Sequence, residues 1–523
     1  MSKLLRVLPL LLMVSIAFGG GIVENTNQSA EFHRMLARNA STDLDAVFFN
    51  PAGLTKLDDG MHVYLSSQTI WQGREITSDF PYLNSDTFEG TTFAPVFPNF
   101  YAAYKMGSLV LAAGLVPVGG GGSATFDDGL PSFEAPIASL VPLLGPTGVT
   151  DYTVDVAFEG SSIYMGGQFL ASYAINDMIS LSAGVRYFKA SNSYVGHLRD
   201  IKVQGATTAG AFDLIPGDVM RGVAAQYTAG AANATGAAAG LTAGIGAGSF
   251  LGTTSLAAID ADGSITAGLV GAGVDPTGYT VDHAIAAYTG VAAGATATAA
   301  GYTVQGLGLD AMTADVEVDA EQTGSGFAPI VGLNISLMDK LNIGVRYEMI
   351  APLELINETT VDGSGLFTNG DTTNADMPAL LGIGLSYLVM PSLNIAVDYN
   401  MYFNEDANWD GKEENVDNGT EIALGVEFAL SDELTLSAGY LMATSGATPA
   451  YQTDLSYSLN SNTIGAGFKY ALNPQMAISF GISTTMYEEG DKTGIIYNAA
   501  LPTGTETYMK DATSIAIGLQ KSF

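Results

Sequence analysis

Several stretches of this chain alternate strictly between apolar residues and polar or small residues. In LNIGVRYEM (341–349), Leu341, Ile343 and Val345 fall on one face, while Asn342 and Arg346 fall on the other. The pattern recurs in ISLSAGVRY (179–187), LNIAVDYNMYF (393–403), EIALGVEFAL (421–430), TLSAGYLM (435–442), NTIGAGFKY (462–470) and QMAISFGIST (475–484). A period of two with aromatic and β-branched residues predicts strands that have one apolar face. The opposite face consists mostly of Gly, Ser, Ala and Asn, whereas a β-sandwich carries many charges on its solvent face. The pattern is therefore typical of a barrel with lipid outside and a polar lumen.

The connections between these strands alternate between short and long. Tight turns are predicted at 106–107, 176–177, 338–340, 390–391, 431–432 and 473–474, and longer polar connections near 73–94, 119–158, 201–324, 357–376, 405–418, 444–454 and 489–507. Outer-membrane barrels have short periplasmic turns and long extracellular loops. The sequence therefore predicts an all-β fold, a transmembrane antiparallel β-barrel of about fourteen strands located in the outer membrane.

Composition excludes several classes of function. The chain of 523 residues has no cysteine, a net charge of −34 and only 14% charged residues. Disulfides, thiolate metal sites and Cys nucleophiles are excluded, and nucleic-acid binding requires a basic face that this chain lacks. The four histidines are scattered without a serine or carboxylate at motif spacing. We therefore expect neither an enzyme nor a bound cofactor, with calcium as the one exception considered below.

The first residues, 1–19, have the features of a secretory signal peptide. Lys3 and Arg6 precede an apolar stretch over 8–18, and Ala17-Phe18-Gly19 provides small residues at the usual cleavage spacing. The apolar stretch is too short to span a bilayer. We expect this segment to be removed on export.

The stretch AVFFNPAGL (46–54) is apolar and precedes the first predicted strand. Taken alone, Asn50 suits a helix N-cap and Pro51 the first helical position, with Phe48 and Phe49 packing at the helix entrance. In front of an exported barrel, AVFFNPAGLTKL (46–57) resembles the FadL/TodX family of outer-membrane transporters for long-chain fatty acids and other hydrophobic compounds. STDLDAV (41–47) and GLVPVGGGGSATFDD (114–128) are also similar to that family.

The resemblance implies an N-terminal hatch, residues 20–60, that plugs the lumen of a barrel formed by residues 61–523. Its Asn-Pro-Ala motif corresponds to Asn50, Pro51 and Ala52, and Phe48 and Phe49 are expected to line a ligand pocket. The implied function is uptake of hydrophobic molecules, such as long-chain fatty acids, by a monomer surrounded by outer-membrane lipids. Two features depart from the family: FHRMLARNAST (32–42) replaces a glycine-rich segment, and the loop at 205–320 is much longer.

Release of the ligand is implied to occur sideways, through a gap where the third strand kinks. Val116-Pro117-Val118 followed by Gly119 and three more glycines is the candidate, because Pro removes a ladder donor and Gly weakens strands. The same residues can also simply end the strand.

The inward cations Arg186, Arg346 and Lys469 have two interpretations. They can meet a carboxylate head group, or they can pair with the inward acids Glu348, Asp398 and Glu427 and fill the lumen.

The segment 205–320 interrupts the strand pattern. It is dominated by Ala, Gly and Thr, and Arg221 is its only Lys or Arg. Its alanines favour helix, but each glycine costs about 1 kcal/mol there. We therefore expect an extracellular loop insertion, a cap or partly disordered loop, in preference to helices that pack in the membrane through small residues.

DANWDGKEENVD (406–417) matches the spacing of a calcium loop. Asp406, Asn408, Asp410 and Asp417 supply oxygens at positions 1, 3, 5 and 12, with Gly411 at position 6. Position 12 is Asp where a bidentate Glu is usual, and the flanks are strands. Calcium binding and a solvated acidic loop both remain open.

Two other functions stay open alongside uptake. A diffusive porin for polar solutes would conduct ions in a planar bilayer. A surface-exposed structural or adhesin barrel would depend on the 205–320 loop.

Overall fold

The computed structural model describes residue 22 and residues 29–205, 211–497 and 501–523. These residues form two compact units. The barrel unit lies within 13–136, 155–198 and 316–523, and the helical unit includes 137–154 and 199–315. The predicted signal peptide, residues 1–19, lies outside the described residues.

One antiparallel sheet contains all the strands of the described chain. They are β1 (Gly60–Ser78), β2 (Thr87–Met106), β3 (Leu109–Phe126), β4 (Tyr152–Ala174), β5 (Ile179–Gln204), β6 (Phe212–Leu214), β7 (Val316–Leu337), β8 (Leu341–Glu348), β9 (Glu354–Asp362), β10 (Thr372–Asn374), β11 (Ala379–Met390), β12 (Leu393–Phe403), β13 (Gly419–Ala429), β14 (Leu434–Thr444), β15 (Ser461–Asn473), β16 (Met476–Tyr487), β17 (Gly490–Ile495) and β18 (Gly504–Ser522). β8 and β9 both pair with β7, and β16 and β17 both pair with β18, so each of these pairs is one interrupted wall strand. β10 pairs with β9 and β11 pairs with β8, so β10 and β11 form a third interrupted strand. β6 pairs only with the end of β5.

The wall is a closed barrel of fourteen strands, as the alternating pattern predicts. Each wall strand pairs with its neighbours in sequence, and β18 closes the barrel by pairing with β1 from His62 to Ser78. The register places apolar residues outward and polar ones inward. Val397 is 43% exposed on the outer surface, whereas its neighbour Asp398 is 5% exposed in the lumen. A continuous apolar exterior of this kind is stable in hydrocarbon, and the fold is a transmembrane β-barrel.

The two ends of the barrel differ in their connections. One end, the short-turn end, has turns at 107–108, 175–178, 338–340, 391–392, 430–433 and 474–475. The other end, the long-loop end, has the connections 79–86, 127–151, 363–371, 404–418 and 445–460. This asymmetry matches the predicted alternation of short and long connections.

The main hydrophobic cluster of the barrel unit lies in the lumen. It combines residues that precede β1, among them Leu36, Leu44 and Leu54, with inward side chains of the wall such as Tyr101 and Leu441. The N-terminal segment therefore supplies much of the core on which this unit packs.

The helical unit shows that the segment predicted at 205–320 as a cap or partly disordered loop is mainly helical in its described residues. Its helices are α4 (Leu140–Leu144), α5 (Pro216–Gly246), α6 (Leu256–Ile259), α7 (Ser264–Gly271) and α8 (Val281–Met312), and α3 (Pro131–Ala138) precedes them. α5 and α8 pack against each other, with Tyr227 and Tyr302 stacked at 5.6 Å. Arg221 of α5 forms an ion pair with Asp310 of α8, with 2.5 Å between Nη1 and Oδ2. Buried alanines at heptad spacing, such as Ala224, let the helices approach closely and offset their glycines, so the segment is helical and the alternative of a partly disordered loop was wrong.

None of the helices in the described part of the chain is long and apolar enough to cross a membrane.

Candidate functional site: hatch, wall gap and cavity

The segment before β1 forms a compact hatch of short helices. These are α1 (Ser29–Arg34), α2 (Ala46–Phe49) and a 3-10 helix over Pro51–Lys56. Pro51 occupies the first position of the 3-10 helix, where a missing N–H costs nothing. Asn50 precedes it in an extended conformation, with φ −157° and ψ 94°, and its side chain makes no capping hydrogen bond. The local prediction is thus right for Pro51, while the Asn50 side chain has another partner.

The Asn-Pro-Ala motif is hydrogen-bonded to the barrel wall. The Asn50 side-chain amide donates to the Leu333 carbonyl of β7 at 3.0 Å. The carbonyls of Pro51 and Ala52 accept from the hydroxyls of Ser172 and Ser180 at 2.7 and 2.8 Å. All three motif residues are buried. The motif therefore fixes the hatch against β4, β5 and β7.

Phe48 and Phe49 lie inside the hatch and contact each other edge to face at 5.1 Å. The Phe48 ring also packs between two guanidinium groups, 5.0 Å from Arg186 and 5.4 Å from Arg346. Arg186 is paired with Glu348, which confirms lumen filling as the role of that cation. Neither phenylalanine lines the cavity described below, so their contact with a ligand stays a prediction.

Buried ion pairs hold the first half of the hatch. Arg34 pairs with Glu31 of the hatch and with Glu427 of β13, both at 2.5 Å. Arg38 pairs with Asp45 at 2.6 Å. Removing one partner of a buried pair leaves an uncompensated charge, which costs about 3–5 kcal/mol. These pairs therefore oppose release of the hatch.

Titratable groups of the hatch are shifted by their surroundings. Burial raises the pKa of Glu31, but the nearby charges of Arg34 and Lys469 outweigh burial and hold it at about 2. Burial lowers the pKa of His33 to about 4, although a hydrogen bond to Gln68 opposes the shift. His33 is consequently neutral at pH 7.

Glycines on the inner face of the wall make room for the hatch backbone, and we call them the glycine track. A Cβ atom at any of them would lie less than 3.0 Å from a hatch atom. They are Gly332, Gly344, Gly384, Gly425, Gly439, Gly465, Gly467 and Gly481. Gly425, Gly439 and Gly465 are directly opposite one another on three adjacent strands. The sequence shows these glycines as lumen residues, but their contact with the hatch becomes visible only in the fold.

The third strand is kinked where the sequence predicts it. Pro117 pairs with Met165, and two shifts of register follow, at Gly119 and at Gly122. Gly120 and Gly122 have positive φ angles of 92° and 77°, which side chains rarely adopt. The chain therefore continues as a strand beyond Pro117, and the alternative that Pro117 ends the strand is wrong.

The kink opens a gap in the wall. β2 and β3 are paired at Thr91 with Thr125 and again from Phe100 with Leu115 onward. Between these two positions the β2–β3 ladder is interrupted, and we call this interruption the gap. The intervening part of β2, TFAPVFPN (92–99), contains Pro95 and Pro98. Neither has an N–H to donate across the gap. These prolines were missed in the sequence, although proline in a strand already indicates an unpaired edge.

A cavity of about 190 Å³ lies beside the kink. Its lining includes the kink glycines, among them Gly121, the apolar side chains Phe126 and Leu130, and the cations Arg74 and Lys510. Sequence analysis singled out neither cation, because the pairing of β1 with the last strand is a long-range contact. The kink, the gap and the cavity thus occupy one region of the barrel unit.

The predicted calcium ligands do not form a cluster of carboxylates. Both carboxylate oxygens of Asp410 accept hydrogen bonds from Asn374, at 2.9 and 2.7 Å. Asn408 Oδ1 accepts from the Asp410 amide at 3.2 Å. Among the described residues, no group of three or more His, Asp or Glu side chains could hold a metal ion. Calcium binding through Asp406, Asn408, Asp410 and Asp417 stays a prediction.

Comparison with known proteins finds relatives in structure only. No protein-family model and no curated protein matches this chain. Among solved structures, a FadL homologue of Pseudomonas aeruginosa matches with TM-score 0.57 and 13% identity, covering 96% of this chain and 100% of its own. The toluene transporter TodX of Pseudomonas putida matches with TM-score 0.52 and 14% identity, again covering 96% and 100%. At this identity the likeness shows a shared fold.

Proposed function

We propose that this protein transports hydrophobic compounds, such as long-chain fatty acids, across the outer membrane as a monomer of the FadL/TodX type. The observation that carries the proposal is the interruption of the β2–β3 ladder beside a cavity in the barrel. A barrel with a purely structural role would be more stable with a continuous hydrogen-bond ladder, because a backbone group without a hydrogen bond in hydrocarbon costs several kcal/mol. The similarity of the fold to a FadL homologue and to a toluene transporter supports the same function.

The route begins at the long-loop end. An apolar cluster there joins Ile76, Phe88, Phe126, Leu130 and Tyr508 above the cavity. Apolar surface transferred from water to such a site gains about 25 cal/mol per Å². Phe126 and Leu130 of this cluster also line the cavity, so the cavity offers a hydrophobic solute an apolar wall at the start of the route.

The exit is the gap in the wall. On the outer surface of β2 beside the gap, Phe93 is 58% and Val96 67% exposed. A solute that leaves between β2 and β3 meets these side chains and then lipid, so it never enters water. The position of the gap supports lateral release.

The hatch supports this route over a diffusive porin. Leu36, Leu44 and Leu54 of the hatch pack in the lumen with the inner face of the wall. A porin requires a water-filled channel at this place. Planar-bilayer recordings should therefore show no steady conductance for the intact protein.

A disulfide across the gap tests the proposal. The chain has no cysteine, so two introduced cysteines can form a disulfide within the chain only with each other. Thr92→Cys with Ala124→Cys joins the strands next to the last pair, Thr91 with Thr125. The matched control is Thr420→Cys with Thr444→Cys, whose hydroxyls lie 2.7 Å apart across an intact part of the wall.

Uptake of radiolabelled oleate by cells that express each variant is the measurement. We expect the oxidised gap variant to lose most of its uptake and to regain it under reducing conditions, while the control pair transports equally in both states. Full uptake through the oxidised gap variant would reject lateral release. Absence of uptake by the wild type would reject the transport function.

A further inference from the structure

The outer surface of the barrel unit contains a concave region, which we call the outer groove. It has a volume of about 560 Å³ and crosses β3, β4, β5, β7 and β8. The outward side chains along it are aliphatic or aromatic, among them Leu109, Tyr173, Leu181, Leu333, Val345 and Tyr347. The outer groove is therefore part of the lipid-facing surface and lies on the other side of the wall from the lumen.

Two alanines form the floor of the outer groove. Ala171 of β4 and Ala183 of β5 are exposed residues of its lining. Residues two apart on a strand share a face, so Ala171 lies beside Tyr173 and Ala183 beside Leu181. The small side chains leave a depression between the larger ones.

The outer groove is closed towards the lumen, which distinguishes it from the gap between β2 and β3. Along these strands β5 pairs with β7, and β7 with β8, in one continuous register. Behind the wall, the Ser172 hydroxyl donates to the Pro51 carbonyl, and a Cβ at Gly332 would lie 2.6 Å from Asn50 Oδ1. The hatch motif thus fills the space behind this part of the wall, and the outer groove is a blind site and not a passage.

The outer groove rises from the short-turn end towards the middle of the wall. Leu109 is the first residue of β3, Leu181 the third of β5 and Tyr347 the seventh of β8. Steps of about 3.4 Å along a strand tilted by about 45° place Tyr347 roughly 14 Å above the start of its strand. Because the hydrocarbon core is about 30 Å thick, the outer groove covers one leaflet. Short turns are periplasmic in outer-membrane barrels, so this is the phospholipid leaflet.

Close packing decides what fills such a depression inside a membrane. Lipid tails are as apolar as leucine, so the hydrophobic effect gives no preference between the outer groove and the surrounding bilayer. An unfilled gap, however, deprives the side chains around it of dispersion contacts. A single flexible chain that follows the depression restores these contacts, and it is then held more tightly than a chain on a convex part of the wall.

We propose that the outer groove binds one acyl chain of a phospholipid from the periplasmic leaflet and retains it longer than the surrounding lipids. The membrane supplies the occupant, because the outer groove is continuous with the hydrocarbon-facing exterior and closed towards the lumen. The bound chain supports from outside the strands that hold the Asn-Pro-Ala motif from inside. This site is independent of the transported compound and goes beyond the proposed transport function.

Photolabelling of the wild type tests the site. The full-length protein is reconstituted into phosphatidylethanolamine vesicles that contain a small fraction of the same lipid with a diazirine on one acyl chain, and labelled residues are identified by mass spectrometry. Val331 of the outer groove and Ile482 of β16 are 43% and 39% exposed, and each lies six residues from the short-turn end of its strand, so Ile482 is the matched control. We expect labelling of Val331 to exceed that of Ile482 severalfold. Equal labelling would overturn the site and leave the transport function standing.

Filling the outer groove tests its assignment to the two alanines. Ala171→Phe with Ala183→Phe occupies the depression, and Ala438→Phe with Ala466→Phe is the control, because these exposed alanines lie directly opposite each other on β14 and β15. Native mass spectrometry of each purified full-length protein with added dioleoyl phosphatidylethanolamine counts the lipids retained. The wild type and the control should keep one lipid that the filled variant loses.

Retention of that lipid by the filled variant, or its loss from the control as well, would overturn the assignment. The folded barrel is checked by its heat-dependent migration on a gel. Should the filled variant not fold, the photolabelling of the wild type decides the proposal by itself.

Discussion

Alanine substitutions in the glycine track should release the hatch without harming the wall. A Cβ at Gly384 would lie 2.5 Å from the Ala40 nitrogen, and one at Gly481 would lie 2.7 Å from the Arg34 nitrogen. Neither glycine has a positive φ, so alanine fits each strand by itself. The clash falls on the hatch backbone, which lies against these strands.

The expected loss of hatch docking free energy follows from the overlap between the added methyl group and the hatch backbone. Overpacking of a well-packed interior costs about 1–3 kcal/mol for each site. When opening is fast relative to cleavage, proteolysis follows the population of the open form. One such substitution should therefore raise the rate of hatch cleavage by roughly 5- to 150-fold, and Gly384→Ala with Gly481→Ala by more than either alone.

Trypsin provides the assay, because Arg34 and Arg38 are 1% and 4% exposed while the hatch is docked. Cleavage after these residues is followed by mass spectrometry of the purified protein. Gly167→Ala on β4 is the matched control, since a Cβ there meets nothing within 4 Å. Equal cleavage rates for Gly384→Ala, Gly481→Ala and this control would refute the role assigned to the glycine track.

Three further predictions concern the hatch and the calcium loop. The pKa of His33 in the docked hatch is about 4, which is below its ordinary value, so docking is most stable above pH 6.5 and loses about 3 kcal/mol as pH falls toward 4. Hydrogen exchange of the hatch amides should become faster over this pH range after correction for the intrinsic exchange rate. An opening free energy that does not change with pH in the wild type would contradict the prediction. Arg38→Met leaves the Asp45 carboxylate buried without its partner, so hatch opening should become easier by about 3–5 kcal/mol, and the same exchange measurement with Lys340→Gln as control checks it. Calcium titration by calorimetry should give heat that Asp406→Ala and Asp410→Ala remove, and a wild type without heat would end the calcium hypothesis.

The barrel itself was predictable from the sequence. Alternation in segments such as 341–349 and 393–403 assigns each side chain to the lipid or the lumen face, and the structure confirms the assignment for Val397 and Asp398. The kink at Pro117 was also predictable, because proline and glycine act on the backbone locally. The sequence did not predict the long helices within 205–320, because close packing between α5 and α8 outweighs the low helix propensity of their glycines.

Local pattern determines which face a residue takes, since a strand has a period of two whatever it packs against. What that face contacts depends on strands and segments far apart in the chain. Gly481 lies against Arg34, and Arg74 lies opposite Lys510, only because the barrel closes β18 onto β1 around the hatch. The sequence by itself thus determined a membrane barrel with an N-terminal segment and a backbone irregularity at Pro117 in the third strand. The position of the hatch in the lumen and the residues that line the cavity are visible only in the tertiary structure, because both depend on contacts between residues far apart in the chain.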